Sequence, residues 1–248
     1  MGIEKVDDLK VIVSGGTGGI GAATVRLLAA GGAKVMIGDL ADDAGEKLAG
    51  ELGENVRFHR LDVSRPEDWE AIVAATEEAF GGVNALFNNA GIVQFSSVKD
   101  CTPEDFRKIM DINANGVFYG MHFAAPAIIR AGGGVIVNTS STAGLYGVAS
   151  VFGYAASKWA VRGMTKAAAL DLARDNVRVC SIHPGPIATP MTADLGDDLV
   201  ASQPIARYGQ PEEVARLVRF LLVEASYSTG AEFIIDGGAT TGSLEPVK

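Results

Sequence analysis

Tyr154 and Lys158 stand four residues apart in the segment SSTAGLYGVASVFGYAASK (140–158), where the lysine is the single charge. On a helix that spacing puts both side chains on one face, one turn apart. A free tyrosine has a pKa near 10, about three units above neutrality, so exchanging a proton with a substrate at neutral pH costs roughly 4 kcal/mol unless the phenolate is stabilised. An ammonium about 4 Å away gives ~1 kcal/mol in bulk water but about 4 kcal/mol at an effective dielectric of 20. Lys158 can therefore tune Tyr154 if the site is dry, and the apolar neighbours Val148, Val151 and Phe152 would exclude water. Ser141, closing the run GVIVNTSS (134–141), adds a hydroxyl able to hold a carbonyl or alkoxide oxygen. Tyr154 becomes the candidate acid/base, whereas Tyr146, between Gly144 and Gly147, falls in a loop.

A second group lies near the start, where SGGTGGIG (14–21) follows the apolar run KVIVS and leads into a helical pattern. Glycines at 15, 18, 19 and 21, with Thr17 and Ile20 between them, let the backbone turn tightly and approach a pyrophosphate, while the next helix offers free N–H groups and its positive dipole end. Asp39, beside Leu40, ends the second apolar run 18 residues after Gly21. That is close to the roughly 20-residue offset at which a carboxylate accepts hydrogen bonds from an adenosine ribose. A 2′-phosphate would bring negative charge against Asp39, and neither the glycine loop nor DLADD (39–43) offers an Arg or Lys in compensation. NAD(H) is expected in preference to NADP(H), and the positive charge of oxidised nicotinamide would lower the tyrosine pKa in the same direction as Lys158.

Seven Val- and Ile-rich runs, mostly without alternation, read as strands covered on both faces: 10–14, 33–39, 56–63, 84–91, 134–141, 177–185 and 231–236. Helical patterns fall between them near 19–31, 41–53, 66–81, 103–131, 154–175 and 211–224. Ser64 with Glu67 and Thr102 with Asp105 fit a helix-start signal, and Pro66, Pro103 and Pro211 suit first turns. Strict alternation of strand and helix predicts an α/β chain folded as one Rossmann-like domain over 1–248, a doubly wound parallel sheet with helices on both faces. Ligands of such sheets bind beyond the carboxyl ends of the strands.

The net charge of −9 argues against nucleic acid or an acidic membrane surface as partner. The first ten residues carry five charges, and no apolar run approaches the ~20 residues of a membrane span. Cys101 and Cys180 have no metal-ligand spacing and read as reduced thiols, which fits a cytoplasmic location. No metal site is expected.

Over essentially its whole length the chain resembles the short-chain dehydrogenase/reductase family. The loop with Gly15, Gly19 and Gly21 looks like the family's Thr-Gly-x-x-x-Gly-x-Gly, with Ser14 in place of the threonine; NNAG (88–91), Ser141, YAASK (154–158) and PGPIATP (184–190) follow in the family's order. Family spacing puts the catalytic serine 13 residues before the tyrosine, which selects Ser141 over Ser140. The resemblance implies that Asp62 and Val63 flank the adenine, that Asn89, Ala90 and Gly91 line the ribose side, and that Ile187 and Thr189, after Pro184 and Gly185, hold the carboxamide. Asn113, in DINANGVF, looks like a fourth catalytic residue that bends a long helix and seats a water passing protons to Lys158. Longer stretches at 154–173, 183–193 and 229–238 are especially similar to bacterial NAD-dependent hydroxysteroid and alicyclic alcohol dehydrogenases.

The expected reaction is reversible hydride transfer between nicotinamide and a secondary alcohol or ketone, at the pro-S face by resemblance. Val93, Phe95, Val148, Phe152, Pro184, Gly185, Met191 and Leu195 are expected to wall a pocket for a neutral, apolar substrate, with 191–208 as a lid. His183 is read as a neutral structural histidine with a hydrogen-bond partner. A 3-oxoacyl-thioester reductase would share the motifs, although Asp39 speaks against its NADP(H), and a noncatalytic dinucleotide sensor is opposed by the intact Ser141, Tyr154 and Lys158 set. By resemblance the protein is a homotetramer built on the 103–131 and 154–175 helices and the final strand.

Overall fold

In the computed structural model, which describes residues 3–242, the seven apolar runs form β1 (Lys10–Ser14), β2 (Lys34–Asp39), β3 (Val56–Arg60), β4 (Ala85–Asn88), β5 (Gly134–Thr139), β6 (Val177–Pro184) and β7 (Glu232–Ile235). All pair in parallel, in the order β3-β2-β1-β4-β5-β6-β7. Between them run α1 (Gly19–Ala30), α2 (Asp42–Leu52), α3 (Pro66–Phe80), α4 (Pro103–Met110), α5 (Gly116–Arg130), α6 (Phe152–Leu172), α7 (Asp198–Ala201) and α8 (Pro211–Val223).

Strand side chains alternate between faces, and both faces of this sheet are covered. Val11 and Val13 join Val25, Leu28, Val218 and Leu221 in one core layer under α1 and α8. Ile12 and Leu86 join Trp69, Ile72, Val117 and Val161 in the other, under α3, α5 and α6. The absence of period-two patterning in the sequence has this cause. Because β1 leads outward to β2 and β3 on one side while β4 starts the other half, the strand order reverses between β1 and β4. A crevice opens there beyond the strand ends.

Helix starts follow the sequence with one exception. Pro66, Pro103 and Pro211 occupy first-turn positions, and the Thr102 hydroxyl accepts the Asp105 N–H at 3.1 Å. Ser64 does not cap α3, whose N-cap is Arg65 without a side-chain bond. Its N–H and hydroxyl instead donate to Asp62 Oδ1 at 3.0 and 2.6 Å, an Asx turn that outcompetes the cap. The 103–131 pattern is helical throughout, with a π-helical turn, Asp111–Asn115, joining α4 to α5 at Asn113. No helix among the described residues is long and apolar enough to cross a membrane.

Candidate active site

The glycine loop sits at the β1 end of the crevice. Ser14, where the family pattern has threonine, accepts the N–H groups of Asn89 and Ala90 at 3.0 and 3.2 Å, and Asn89 Nδ2 donates back to the carbonyls of Ser14 and Gly15 at 3.2 and 3.1 Å. Loop and β4 end are thereby locked face to face. Gly15 has φ +64°, and a Cβ there would lie 2.8 Å from Ala90 Cα. A Cβ on Gly21 would lie 2.0 Å from the Gly15 carbonyl oxygen. Gly21→Ala is accordingly expected to push the loop out of place, weakening NADH binding in a fluorescence titration by about tenfold or more and lowering stability by about 2 kcal/mol; unchanged NADH affinity would show that the loop does not hold the cofactor.

Asp39 is wired into this loop. Its Oδ2 accepts from the Thr17 N–H and hydroxyl at 3.1 and 2.7 Å, and Oδ1 accepts from the N–H groups of Leu40 and Ala41 at 2.7 and 3.3 Å. The β2–β3 register sets Asp39 opposite Arg60, a cation that the local sequence around Asp39 does not reveal. Arg60 Nη1 donates to the Leu40 carbonyl at 2.9 Å and to Asp42 Oδ2 at 2.8 Å, so its charge is already matched. Asp62 receives Ser64 and donates its N–H to Asp68 Oδ2 at 2.9 Å. The Val63 side chain belongs to the core, and its carbonyl takes the Trp69 indole N–H at 3.0 Å.

Farther along the crevice, α6 carries Tyr154 and Lys158 on one face, the Lys158 Nζ lying 5.5 Å from the Tyr154 ring centroid. Lys158 is only 3% exposed and donates to the Thr139 carbonyl at 3.0 Å. Burial pulls its pKa from the ordinary 10.5 down to about 8, which still leaves most of the ammonium charged at neutral pH. For Tyr154, burial raises the pKa above that of a free phenol, and the Ser141 hydroxyl nearby draws it partly back. Dryness thus works against the phenolate, whereas a hydroxyl and a positive charge nearby work for it. Ser141 itself follows β5 directly, its Oγ accepting the Ala143 N–H at 3.1 Å.

Asn113 lies in the π-helical turn and is fully buried. Its amide clamps the backbone of Ile92, accepting that N–H and donating to that carbonyl at 2.8 Å each, and donates to Ser157 Oγ at 3.1 Å. A Cβ on Gly91 would meet Asn113 Oδ1 at 3.2 Å and Lys158 Nζ at 3.4 Å, so both groups flank the same glycine. Asn113 stands behind the cavity wall and not on it.

These elements enclose a cavity of about 460 Å³ that runs continuously from Gly15, Gly18, Gly19 and Ile20 past Asn89, Ala90 and Gly91 to Ser141, Tyr154 and Lys158. Pro184, Gly185, Ile187 and Thr189 form one wall, and Val93, Phe95, Val148, Met191 and Leu195 line the outer part. Phe152 departs from expectation: as the first residue of α6 it turns away from the cavity, 44% exposed, with its ring 6.0 Å from Phe106. Thr17, Gly21, Asp39, Leu40, Asp62 and Val63 likewise stand outside the lining. Tyr146, which the sequence places in a loop without a role, lines it together with Leu199 and Gln203. Tyr146 comes from the Ser141 loop, and the other two come from the 191–208 segment, which the Ile205 N–H anchors to the Gly237 carbonyl at 2.9 Å. Lys158 is the only charged side chain among the described lining residues.

A nicotinamide dinucleotide fits this arrangement. No side chain caps the start of α1, leaving its first N–H groups open toward the cavity. A Cβ on Gly18 would meet nothing within 4 Å, and the Thr139 hydroxyl oxygen is buried in the cavity wall without a partner. Lys158, with one hydrogen bond made, keeps two donors for ribose hydroxyls. A doubly wound sheet with this loop and a Ser–Tyr–Lys set on the cavity wall, its lysine buried, defines a nicotinamide-dependent oxidoreductase. The chain belongs to the short-chain dehydrogenase/reductase family: a family model described as enoyl-(acyl carrier protein) reductase matches residues 15–240. It is 44% identical over 232 residues to a 3-alpha-(or 20-beta)-hydroxysteroid dehydrogenase of Mycobacterium tuberculosis, covering 93% of this chain and 89% of that one. It is 42% identical over 243 residues to a cyclohexanol dehydrogenase of an Acinetobacter species, covering 96% and 97% of the two chains. An NADP-dependent (R)-specific alcohol dehydrogenase of Lentilactobacillus kefiri is 42% identical over 240 residues, 92% of this chain and 95% of its own.

Proposed function

We propose that this protein is an NAD(H)-dependent oxidoreductase that interconverts a neutral, apolar secondary alcohol and its ketone, with Tyr154 as the acid/base. The observation that carries this reading is Ser141, Tyr154 and the buried Lys158 brought together on an apolar cavity continuous with the glycine loop. The names of the similar dehydrogenases, for hydroxysteroid and cyclohexanol, point to the same substrate class.

When bound, the nicotinamide supplies the two-electron chemistry, accepting a hydride from the carbinol carbon in oxidation and returning it in reduction. Tyr154 takes the hydroxyl proton in oxidation and gives it back in reduction. Ser141 holds the reacting oxygen by donating its one hydroxyl proton to it, beside the Tyr154 phenolate. Lys158 stabilises that phenolate and holds the ribose, and Asn113, by clamping Ile92, keeps the proton exit beside Lys158 in shape. Phe95, Val148, Met191 and Leu199, all more than one third exposed on the ligand-free surface, would be covered by an apolar substrate.

The preference for NAD(H) rests on Asp39 and on Arg60 being held by Asp42. One similar enzyme is NADP-dependent by name, so family membership leaves the cofactor open. Initial rates with NAD⁺ and NADP⁺, across hydroxysteroids, alicyclic alcohols, aryl carbinols and 3-hydroxyacyl thioesters, test both parts. NAD⁺ is expected to be favoured about 100-fold or more in kcat/KM, because a like charge against Asp39 costs several kcal/mol. Preference for NADP⁺ would refute the role of Asp39. Turnover of thioesters alone would favour the acyl-thioester reading that the family model's description suggests, a reading opposed by a cavity wall with no cation besides Lys158 among its described residues.

A homotetramer is part of this proposal. Exposed Phe118 on α5, Trp159 and Leu170 on α6, and Ile234 on β7 offer the apolar surface such contacts would cover.

A further inference from the structure

We infer that His183 is a positioning residue for the reaction: its Nδ1–H holds the Ser141 carbonyl and so fixes where the Ser141 hydroxyl meets Tyr154 and the reacting oxygen. The inference rests on the reading of Ser141 given above.

His183 lies next to the end of β6 and is fully buried. Alternation along the strand puts Ser181 and His183 on the face toward α6, with Val177 and Val179, while Ile182 points into the opposite layer. On that face Nε2 is 2.9 Å from Ser181 Oγ, and Nδ1 is 3.2 Å from the Ser141 carbonyl oxygen. A carbonyl only accepts, so Nδ1 must carry a proton; the Ser181 hydroxyl then rotates to donate to Nε2. Burial holds the imidazole below its ordinary pKa, leaving the neutral Nδ1–H tautomer as the form that satisfies both contacts.

The contact comes where the sheet stops. The last β5–β6 register pair is Thr139 with Ile182, and the Ser140 N–H still reaches the Ile182 carbonyl at 2.9 Å. Beyond Ser140 the ladder holds nothing. The other bonds to Ser141, from the N–H groups of Ala143 and Gly144 at 3.1 and 2.9 Å, belong to its own turn and move with it. His183 is therefore the tie between the catalytic serine and the rigid sheet, extending the β5–β6 pairing by one residue through a side chain. The carbonyl sets the tautomer, and Ser181 supplies the donor that the buried Nε2 then needs.

The test compares His183→Phe, His183→Asn and Ser181→Ala, with Ser141→Ala as reference. The readouts are kcat on a secondary alcohol turned over by the wild-type protein, NADH affinity by fluorescence titration, and thermal unfolding. Loss of the tie is expected to lower kcat about 10- to 100-fold in His183→Phe with NADH affinity within about twofold. His183→Asn, whose amide N–H can replace Nδ1–H, should recover most of that loss. Ser181→Ala, which leaves the buried Nε2 without a donor, should lower kcat severalfold, and the wild-type imidazole ¹⁵N resonances should show the Nδ1–H tautomer, which a space-filling histidine would not require. Wild-type kcat in both His183→Phe and Ser181→Ala, with Ser141→Ala nearly inactive, would overturn the role of His183 alone, as would equal losses in the Phe and Asn variants. Full activity in Ser141→Ala would refute the reading of Ser141 and this inference with it.

Discussion

Tyr154→Phe is expected to lose about 10³- to 10⁴-fold in kcat for alcohol oxidation, near the upper end of what a single general acid/base contributes. The loss should fall on kcat, because the ring that fills the cavity wall is kept and only the proton-carrying oxygen is removed. NADH affinity should stay within a few-fold, since the glycine loop, Asp39 and Lys158 are untouched. Stability should change by less than about 1 kcal/mol, the Ser141 hydroxyl keeping its bond from Ala143. Steady-state kinetics with a matched cofactor titration reads all three. A variant that retained a tenth of wild-type kcat would place the acid/base elsewhere.

Lys158→Met is expected to separate activity from stability. Removing the ammonium takes away the charge that stabilises the Tyr154 phenolate and two donors for the ribose, so kcat/KM should fall about 10²- to 10³-fold, with weaker NADH binding as a component. The same change should make the protein more stable. Lys158 is fully buried and its pKa falls from 10.5 to about 8, so at pH 7 holding the charge inside costs roughly 3 kcal/mol relative to the unfolded chain. Between pH 8 and 10.5 the unfolded chain binds a proton that the folded chain has released, so wild-type stability should rise with pH across that window. Lys158→Met should lack this rise. At neutral pH it should gain about 1–2 kcal/mol once the lost bond to the Thr139 carbonyl is counted. Urea unfolding at pH 7 and 9.5 measures the difference; a variant less stable than wild type at both would mean that Lys158 holds the fold together.

Much of this architecture is legible in the sequence because it rests on local rules. Unalternating Val/Ile runs give a sheet buried on both faces, prolines start α3, α4 and α8, and the four-residue spacing of Tyr154 and Lys158 survives wherever a helix forms. What stays hidden depends on contacts distant in sequence. Arg60 reaches Asp42 and Leu40 only through the β2–β3 register. The amide of Asn113 is spent on Ile92, a partner 21 residues away. Phe152 looked like a pocket wall because it neighbours Tyr154, but the start of α6 turns it toward Phe106. Gln203 and Leu199 line the cavity because contacts such as that of the Ile205 N–H with the distant Gly237 carbonyl hold their segment there, and their spacing carries no periodic signal. The burial that raises the Tyr154 pKa is likewise a property of the assembled cavity, invisible in a list of apolar neighbours.

The most direct test is the pH dependence of kcat/KM for alcohol oxidation with saturating NAD⁺, in the wild type and in Lys158→Met. Oxidation needs Tyr154 as the phenolate, so the rate should rise with pH as the tyrosine ionises. With Ser141, the Lys158 ammonium and the cationic ring opposing the effect of burial, the wild-type midpoint should lie well below the ordinary phenol value near 10, as a property of the coupled Tyr154–Lys158 pair. In Lys158→Met the same limb should move to higher pH. A wild-type midpoint at or above the free phenol value, or the same midpoint in both proteins, would contradict a lysine-tuned Tyr154 as the group that takes the proton.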